Sequence, residues 1–191
     1  MVYYHHLVYS NFKDIGGIKS FIKFLEFNKY KNYKINGVGK YRFAVWSGDE
    51  KQNLKEEIKK MFNKKDNNDG SLIKILLGTP SIKEGVSLLR VSQVHLMEPY
   101  WNMSGIKQII GRAIRFCSHK DVPVGKRIVE VFLYLATRQG EKTTDQYIWS
   151  MAKRKQKLID EFEDVLKEKA IDCKLFYNRN NYKGDKKIKC K

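Results

Sequence analysis

The chain has 191 residues, enough for one sizeable hydrophobic core and too few for two large domains. Hydrophobic residues at 42% and aromatics at 13% exclude wholesale disorder. The formal net charge of +17 points to a polyanionic partner, nucleic acid first, although charge alone does not exclude a merely soluble basic protein.

Apolar runs alternate with amphipathic stretches along the chain. Residues 5–10 (HHLVYS) read as a first strand, with His5 and His6 pointing to opposite faces. Residues 15–30 follow as a helix, with Ile18, Phe21, Ile22 and Leu25 at helical spacing. Residues 32–40 are polar and hold two glycines, which predicts a loop. Residues 41–46 are the second strand. Ser47 and Glu50 have capping-box spacing and predict a helix carrying Leu54, Ile58, Met61 and Phe62 on one face. After a polar loop at 63–71, the run LIKILL (72–77) is as continuously apolar as buried parallel strands are. Residues 91–97 form a fourth strand, 102–115 a helix, and 127–136 a fifth strand. A capping box of Thr143 and Gln146 opens a last helix to about residue 170. Its Tyr147, Ile148, Met151, Leu158, Ile159, Phe162, Val165 and Leu166 are expected to face the core. The domain then spans residues 1–173. Residues 174–191, with seven basic side chains and one acidic, read as a mobile tail.

Repeated strand–helix units imply an α/β fold, a parallel sheet with helices on both faces and a long C-terminal helix. In such sheets the working residues gather beyond the carboxyl ends of the strands. No run spans a bilayer and no charged-then-apolar leader opens the chain, so no membrane partner is expected. Cys117, Cys173 and Cys190 are odd in number and far apart. They predict free thiols in a reducing, intracellular setting, with Cys173 a buried thiol and no metal site.

One segment carries most of the chemistry. In Gln108-Ile-Ile-Gly111-Arg112-Ala-Ile-Arg115, a helix at about 100° per residue places Gln108, Arg112 and Arg115 within roughly 60° of one another. Ile106, Ile109, Ile110, Ala113 and Ile114 take the opposite side, and Gly111 leaves room for close approach. Guanidinium forks match phosphate oxygens and stay charged at any working pH, so this stripe suits a triphosphate. An amphipathic helix whose arginines simply face water has the same pattern.

The spacing Q-x-x-G-R-x-x-R resembles the sixth motif of superfamily 2 helicases and translocases. Leu76-Leu-Gly-Thr79-Pro-Ser-Ile-Lys-Glu-Gly85-Val-Ser-Leu-Leu89 resembles their fifth motif. The run from Val94 to Asn102, with Pro-Tyr-Trp-Asn, is similar to the segment between those motifs in Swi/Snf-type members. Residues 5–12 match the fourth-motif strand, and Trp46-Ser-Gly-Asp49 the segment after the next one. EGVSLLRVSQVH, GRAIRFCSH and KEKAIDCKLF together resemble transcription-associated NTPases of large DNA viruses, the group of poxvirus nucleoside triphosphatase I and the early transcription factor small subunit.

The resemblance implies a second RecA-like domain that contributes arginines across a cleft to ATP held by a first domain. By that likeness Arg112 and Arg115 contact the β- and γ-phosphates, and Gln108 orders the phosphate or the attacking water. Gly85, Ser87 and Gly111 border the nucleotide, although many relatives carry Asp or Asn in place of Ser87. Thr79, Ser10, Asn11, Ser47 and Gly48 border a nucleic-acid strand, DNA or RNA. Partners are then that strand, the N-terminal RecA-like domain of the same protein and viral transcription machinery. The implied location is a cytoplasmic viral factory or virion, or for a cellular protein the cytoplasm or nucleus.

A P-loop needs G-x-x-x-x-G-K-[ST]. Before Gly39-Lys40 and Gly125-Lys126 the first glycine is replaced by Lys34 and Lys120, and Tyr41 and Arg127 follow. Asp49-Glu50-Lys51-Gln52 superficially resembles a DExH box, but Ser47 and Gly48 separate it from its strand. The chain, which begins on its first strand, is therefore expected to be half of an ATPase, inactive alone, with ATP and Mg2+ bound mainly by the other half. The alternative is a non-catalytic nucleic-acid-binding or scaffold domain of the same fold.

Overall fold

A six-stranded, wholly parallel sheet runs in the order β2-β3-β4-β1-β5-β6. The strands are β1 (His5–Tyr9), β2 (Lys31–Asn32), β3 (Arg42–Trp46), β4 (Ile75–Gly78), β5 (Val91–Leu96) and β6 (Glu130–Leu133). The computed structural model describes residues 5–83, 85–180, 184 and 187–190. Strand alternation divides the interior. Leu7, Tyr9, Ala44, Trp46, Leu76, Val94 and Leu96 face one layer, and Val8, Phe43, Ile75 and Leu77 face the other.

The first layer is covered by α3 (Gln52–Phe62) and α4 (Met103–Ala113), through Ile58, Phe62, Ile106, Ile109 and Ala113. The second is covered by α1 (Ile18–Phe27), through Ile18 and Leu25. The predicted architecture, helices on both faces of a parallel sheet, is therefore the observed one. His5 and His6 do take opposite faces. His5 is buried against the Phe62 ring at 4.7 Å, whereas His6 borders an open cavity.

Several local expectations are corrected. Residues 32–40 are not all loop: Lys31–Asn32 pairs with β3, and Asn32 Oδ1 accepts the Lys34 N–H at 3.0 Å to cap α2 (Tyr33–Asn36). The Ser47–Glu50 capping box does not form. α3 starts later, after Lys51, because Ser47 is buried at the end of β3 and the Glu50 carboxylate pairs with Lys34 at 2.8 Å. The Thr143–Gln146 box does form, and opens α5 (Thr144–Lys169).

Twenty-six residues make α5 about 39 Å long, more than twice the span of a five-residue strand. Its first turns pack, with Ala152 buried and Trp149 against the core. Its distal part runs past the sheet, so Leu158, Phe162, Val165 and Leu166 are 55–65% exposed rather than core-facing. Beyond it lie α6 (Asp172–Leu175) and α7 (Tyr177–Asn180), and Cys173 is joined to Cys190 by a disulfide, not free as expected. Cys117 is an exposed free thiol.

A second device was invisible in the polar run 63–71. Asn67 is fully buried and its amide is saturated. Its Nδ2 donates to the Phe62 and Ile73 carbonyls at 3.1 and 2.9 Å, and its Oδ1 accepts the Leu72 and Ile73 N–H groups at 2.8 and 3.1 Å. One side chain thus ties the end of α3 to the entry of β4.

Candidate nucleotide and nucleic-acid sites

The carboxyl ends of β3, β4 and β1 lie side by side, which brings Ser47, Thr79 and Ser10 to one edge. Their side chains face inward, 3%, 4% and 0% exposed. Thr79 N–H donates to the Trp46 carbonyl at 3.0 Å, and its hydroxyl reaches the same oxygen at 3.3 Å. The Ser10 hydroxyl accepts the Phe12 N–H at 3.0 Å. Asn11 and Gly48 are the members open to solvent. Asn11 is fixed in orientation: its Oδ1 accepts the Tyr9 hydroxyl at 2.7 Å, and its backbone N–H and Nδ2 both donate to Glu98.

Glu98 is half-buried and accepts both of these bonds. It orders the loop after β1. Burial holds its carboxyl above the usual range, opposed by the hydrogen bonds from Asn11 and Ser10. Beside this edge a cavity of about 530 Å³ is lined by Lys13, Lys19, Lys34, Asn32, Ser47 and Thr79 among others. Asp49 pairs with Lys13 and Glu50 with Lys34, which accounts for both acids of the DExH-like string without a metal.

The arginine site lies elsewhere. Residues 79–90 lead from the carboxyl end of β4 back to the amino end of β5, alongside α4. The Arg112 guanidinium donates to the Lys83 carbonyl, and the Arg115 Nη1 donates to the Ser87 hydroxyl. Arg112, Arg115, Lys83 and Ser87 are thus brought together on this segment, and not beyond the carboxyl ends where the sequence reading places all working residues. Gly85 is exposed in the same turn with φ +74°, a left-handed conformation that favours glycine. Gln108 is exposed one turn before Arg112. A Cβ built on Gly111 meets nothing within 4 Å, so that side of the helix is bare.

The helix is shorter than predicted. α4 ends at Ala113, and Arg115 stands in the following loop, off the stripe. Helix-end carbonyls lack intrahelical partners and need others. Here the Arg112 carbonyl accepts the Leu88 N–H at 3.0 Å, and the Ala113 carbonyl accepts the Ser118 hydroxyl at 3.2 Å. The same hydroxyl accepts the Arg115 N–H at 3.2 Å and stabilises the exit. Ile114 consequently turns outward, 50% exposed, instead of packing on the sheet. A cavity of about 370 Å³ opens beside Arg115, lined by Ser87, Leu89, Phe116, Cys117 and Lys120 among others.

The residues of this domain match those of a known family. Residues 5–117, more than half of the chain, match the family described as Helicase conserved C-terminal domain. The chain belongs to it. Two mimivirus proteins (Acanthamoeba polyphaga mimivirus), each named "Putative ATP-dependent RNA helicase", are similar. R563 is 55% identical over 184 residues, covering 96% of this chain and 32% of its own length. R350 is 36% identical over 188 residues, covering 91% of this chain and 22% of its own length. A "Termination factor NPH-I homolog" of African swine fever virus is 33% identical over 144 residues, with 69% and 20% covered. The chain therefore spans about a third or less of these relatives. Among solved structures, the C-terminal part of the Fun30 ATPase domain superposes with a TM-score of 0.56 at 17% identity, covering 78% of this chain and 39% of that one. This last likeness concerns the fold, which is RecA-like.

Lys83 and Glu98 are the contributors that the sequence pattern does not single out in this helicase C-terminal domain. Lys83 Nζ sits over the Tyr100 ring at 4.2 Å and the Tyr9 ring at 5.4 Å, and burial lowers its pKa. Neither residue has a partner at helical or strand spacing, so only the assembled sheet reveals them. Glu84, in the run that resembles the fifth motif, lies outside the described residues. Trp46 is buried in the core, Trp149 packs partly buried against it, and Trp101 is 51% exposed.

Proposed function

We propose that this domain is the second half of an ATP-dependent nucleic-acid motor of superfamily 2, working in viral transcription. The observation that carries the reading is the convergence of Arg112 and Arg115 on the turn at Lys83–Ser87, beside the bare side of α4 at Gly111. Two guanidiniums on one short segment suit the β- and γ-phosphates of a nucleotide presented by a first RecA-like domain. Arg115 is exposed, with its guanidinium on the Ser87 hydroxyl. Arg112 keeps a buried Nε with no hydrogen-bond partner in the described structure, a cost that a phosphate oxygen would remove once the turn opens. Gln108 lies on the exposed side of the helix, where it can order the attacking water. Gly85 lets the turn bend, and Ser87 holds Arg115 until nucleotide arrives.

Among the described residues no three His, Cys, Asp or Glu side chains converge. In this reading the Mg2+ ion belongs to the first domain. Asn11 and Gly48 meet the phosphate backbone of a nucleic-acid strand, and Ser10, Ser47 and Thr79 shape that edge from within. Lys13, Lys19 and Lys34 line the cavity beside it, each paired with a carboxylate (Asp49, Asp14 and Glu50), and the attraction for phosphates comes from the chain's net charge of +17. Residues 1–173 form the working domain, and the basic segment 174–191 adds charge at its end.

The test is NTP hydrolysis by the intact protein and by this chain alone. The intact protein turns over NTP in the presence of nucleic acid, and Arg112→Ala or Arg115→Ala removes most turnover. The isolated chain stays at background. If both arginine variants hydrolyse normally, the domain is a scaffold and not half of a motor.

A further inference from the structure

Phe12 follows β1 directly after Asn11, yet its ring is 59% exposed. The position is built, not loose. Its N–H donates to the Ser10 hydroxyl at 3.0 Å, and its carbonyl accepts the Ile18 N–H at 3.0 Å. The chain folds back so tightly that a Cβ on Gly17 would lie 1.9 Å from the Phe12 oxygen and 2.7 Å from its Cβ. Only glycine permits that return. On the other side, Asn11 is locked by Glu98 and Tyr9. A rigid backbone thus presents an aromatic face to solvent, one residue from Asn11 and beside the cavity that Lys13, Asp49 and Thr79 help to line.

A phenyl ring has no group for a phosphate. Its flat π-face does suit the flat face of a base, and stacking of this kind tolerates any sequence because every base has such a face. We propose that Phe12 is a stacking site for an unpaired nucleobase of the strand held at this edge. The inference rests on the proposed nucleic-acid role of the edge and adds the ligand's state: single-stranded at this point, since a base inside a duplex keeps both faces covered.

The experiment uses the protein with two fluorescent probes, a single-stranded oligonucleotide carrying 2-aminopurine and a blunt duplex of the same sequence. Binding of the single strand by the unaltered protein quenches 2-aminopurine. Phe12→Leu keeps the size and apolarity and removes the π-face, and is expected to bind the single strand about 10-fold more weakly with quenching lost. Its salt slope stays unchanged because no phosphate contact is removed. Phe12→Trp retains affinity and quenching, and duplex affinity is unchanged in both variants. Single-strand affinity and quenching that survive Phe12→Leu overturn the stacking assignment and mark Phe12 as an apolar contact for protein. If the unaltered protein binds neither probe, the nucleic-acid reading of the edge itself fails, which is a different result.

Discussion

At the carboxyl edge Ser10, Ser47 and Thr79 are buried, and the Ser10 and Thr79 hydroxyls bond inside the domain, whereas Arg115 is exposed with its guanidinium on the Ser87 hydroxyl. The edge sits on three adjacent, fully buried strand ends. The arginine site sits on a helix end and a turn with a glycine at positive φ. The first arrangement keeps its shape when a ligand leaves. The second gives up few contacts when it rearranges. In the proposed motor this asymmetry would let the nucleotide contact be made and broken while the edge keeps its shape. Lys83 touches both: its ammonium packs on Tyr9 at the edge, and its carbonyl receives Arg112.

The largest expected effect breaks the comparison on its mobile side. Arg115→Ala or Arg112→Ala in the intact protein should cost roughly 10³–10⁵ in NTP turnover, the range of arginine fingers in other NTPases. Nucleic-acid affinity should stay within about twofold, measured by anisotropy. Equal loss of both would place the arginines on the nucleic acid and erase the distinction between the two sites.

A smaller effect is expected on stability as the pH falls. His5 is buried at the amino end of β1, with its Nε2 against the Asn67 carbonyl and its Nδ1 3.4 Å from the Leu89 carbonyl, in the segment that carries Ser87. Burial lowers its pKa to about 4 from the ordinary 6.5. The folded state therefore prefers the neutral ring. Between pH 6.5 and 4 the unfolded chain binds a proton that the folded chain refuses, so stability is full above 6.5 and falls as the pH drops toward 4. The loss from this residue is about 3 kcal/mol at its limit. Urea unfolding at pH 7, 5.5 and 4.5 should show it, and His5→Gln should flatten the slope.

How much of this was legible in the sequence follows from the range of each interaction. Strand alternation and helix spacing are local, so the parallel sheet, its two layers and the Thr143 cap could be read directly. The arginine motif was legible as residue types, and the segment at Thr79–Ser87 as its neighbour in chain order. Where α4 stops was not legible, because Leu88 and Ser118 decide it and one of them lies on another element. Glu98 resembles any acid after a strand until β5 is set beside β1 and its carboxylate meets Asn11. The apolar stripe of distal α5 predicts burial only if something is there to cover it, and the sheet is too short.

Two glycines sharpen the comparison at the scale of a single methyl group. Gly17→Ala forces a Cβ into the backbone of Phe12, so about 2 kcal/mol or more of stability should be lost, with the β1–α1 loop displaced and nucleic-acid binding weakened. Gly111→Ala is the opposite case. Its Cβ meets nothing within 4 Å, and alanine is the better helix former, so thermal unfolding should report a gain of roughly 0.5–1 kcal/mol. If the bare side of α4 is where the triphosphate comes in, that stabilised variant should nevertheless hydrolyse NTP more slowly in the intact protein, with a raised KM. Stability and activity moving in opposite directions at one residue is an outcome that packing alone cannot produce. A variant both more stable and fully active would mean that nothing needs the space beside Gly111, and would leave Arg115 as the main contact to the nucleotide.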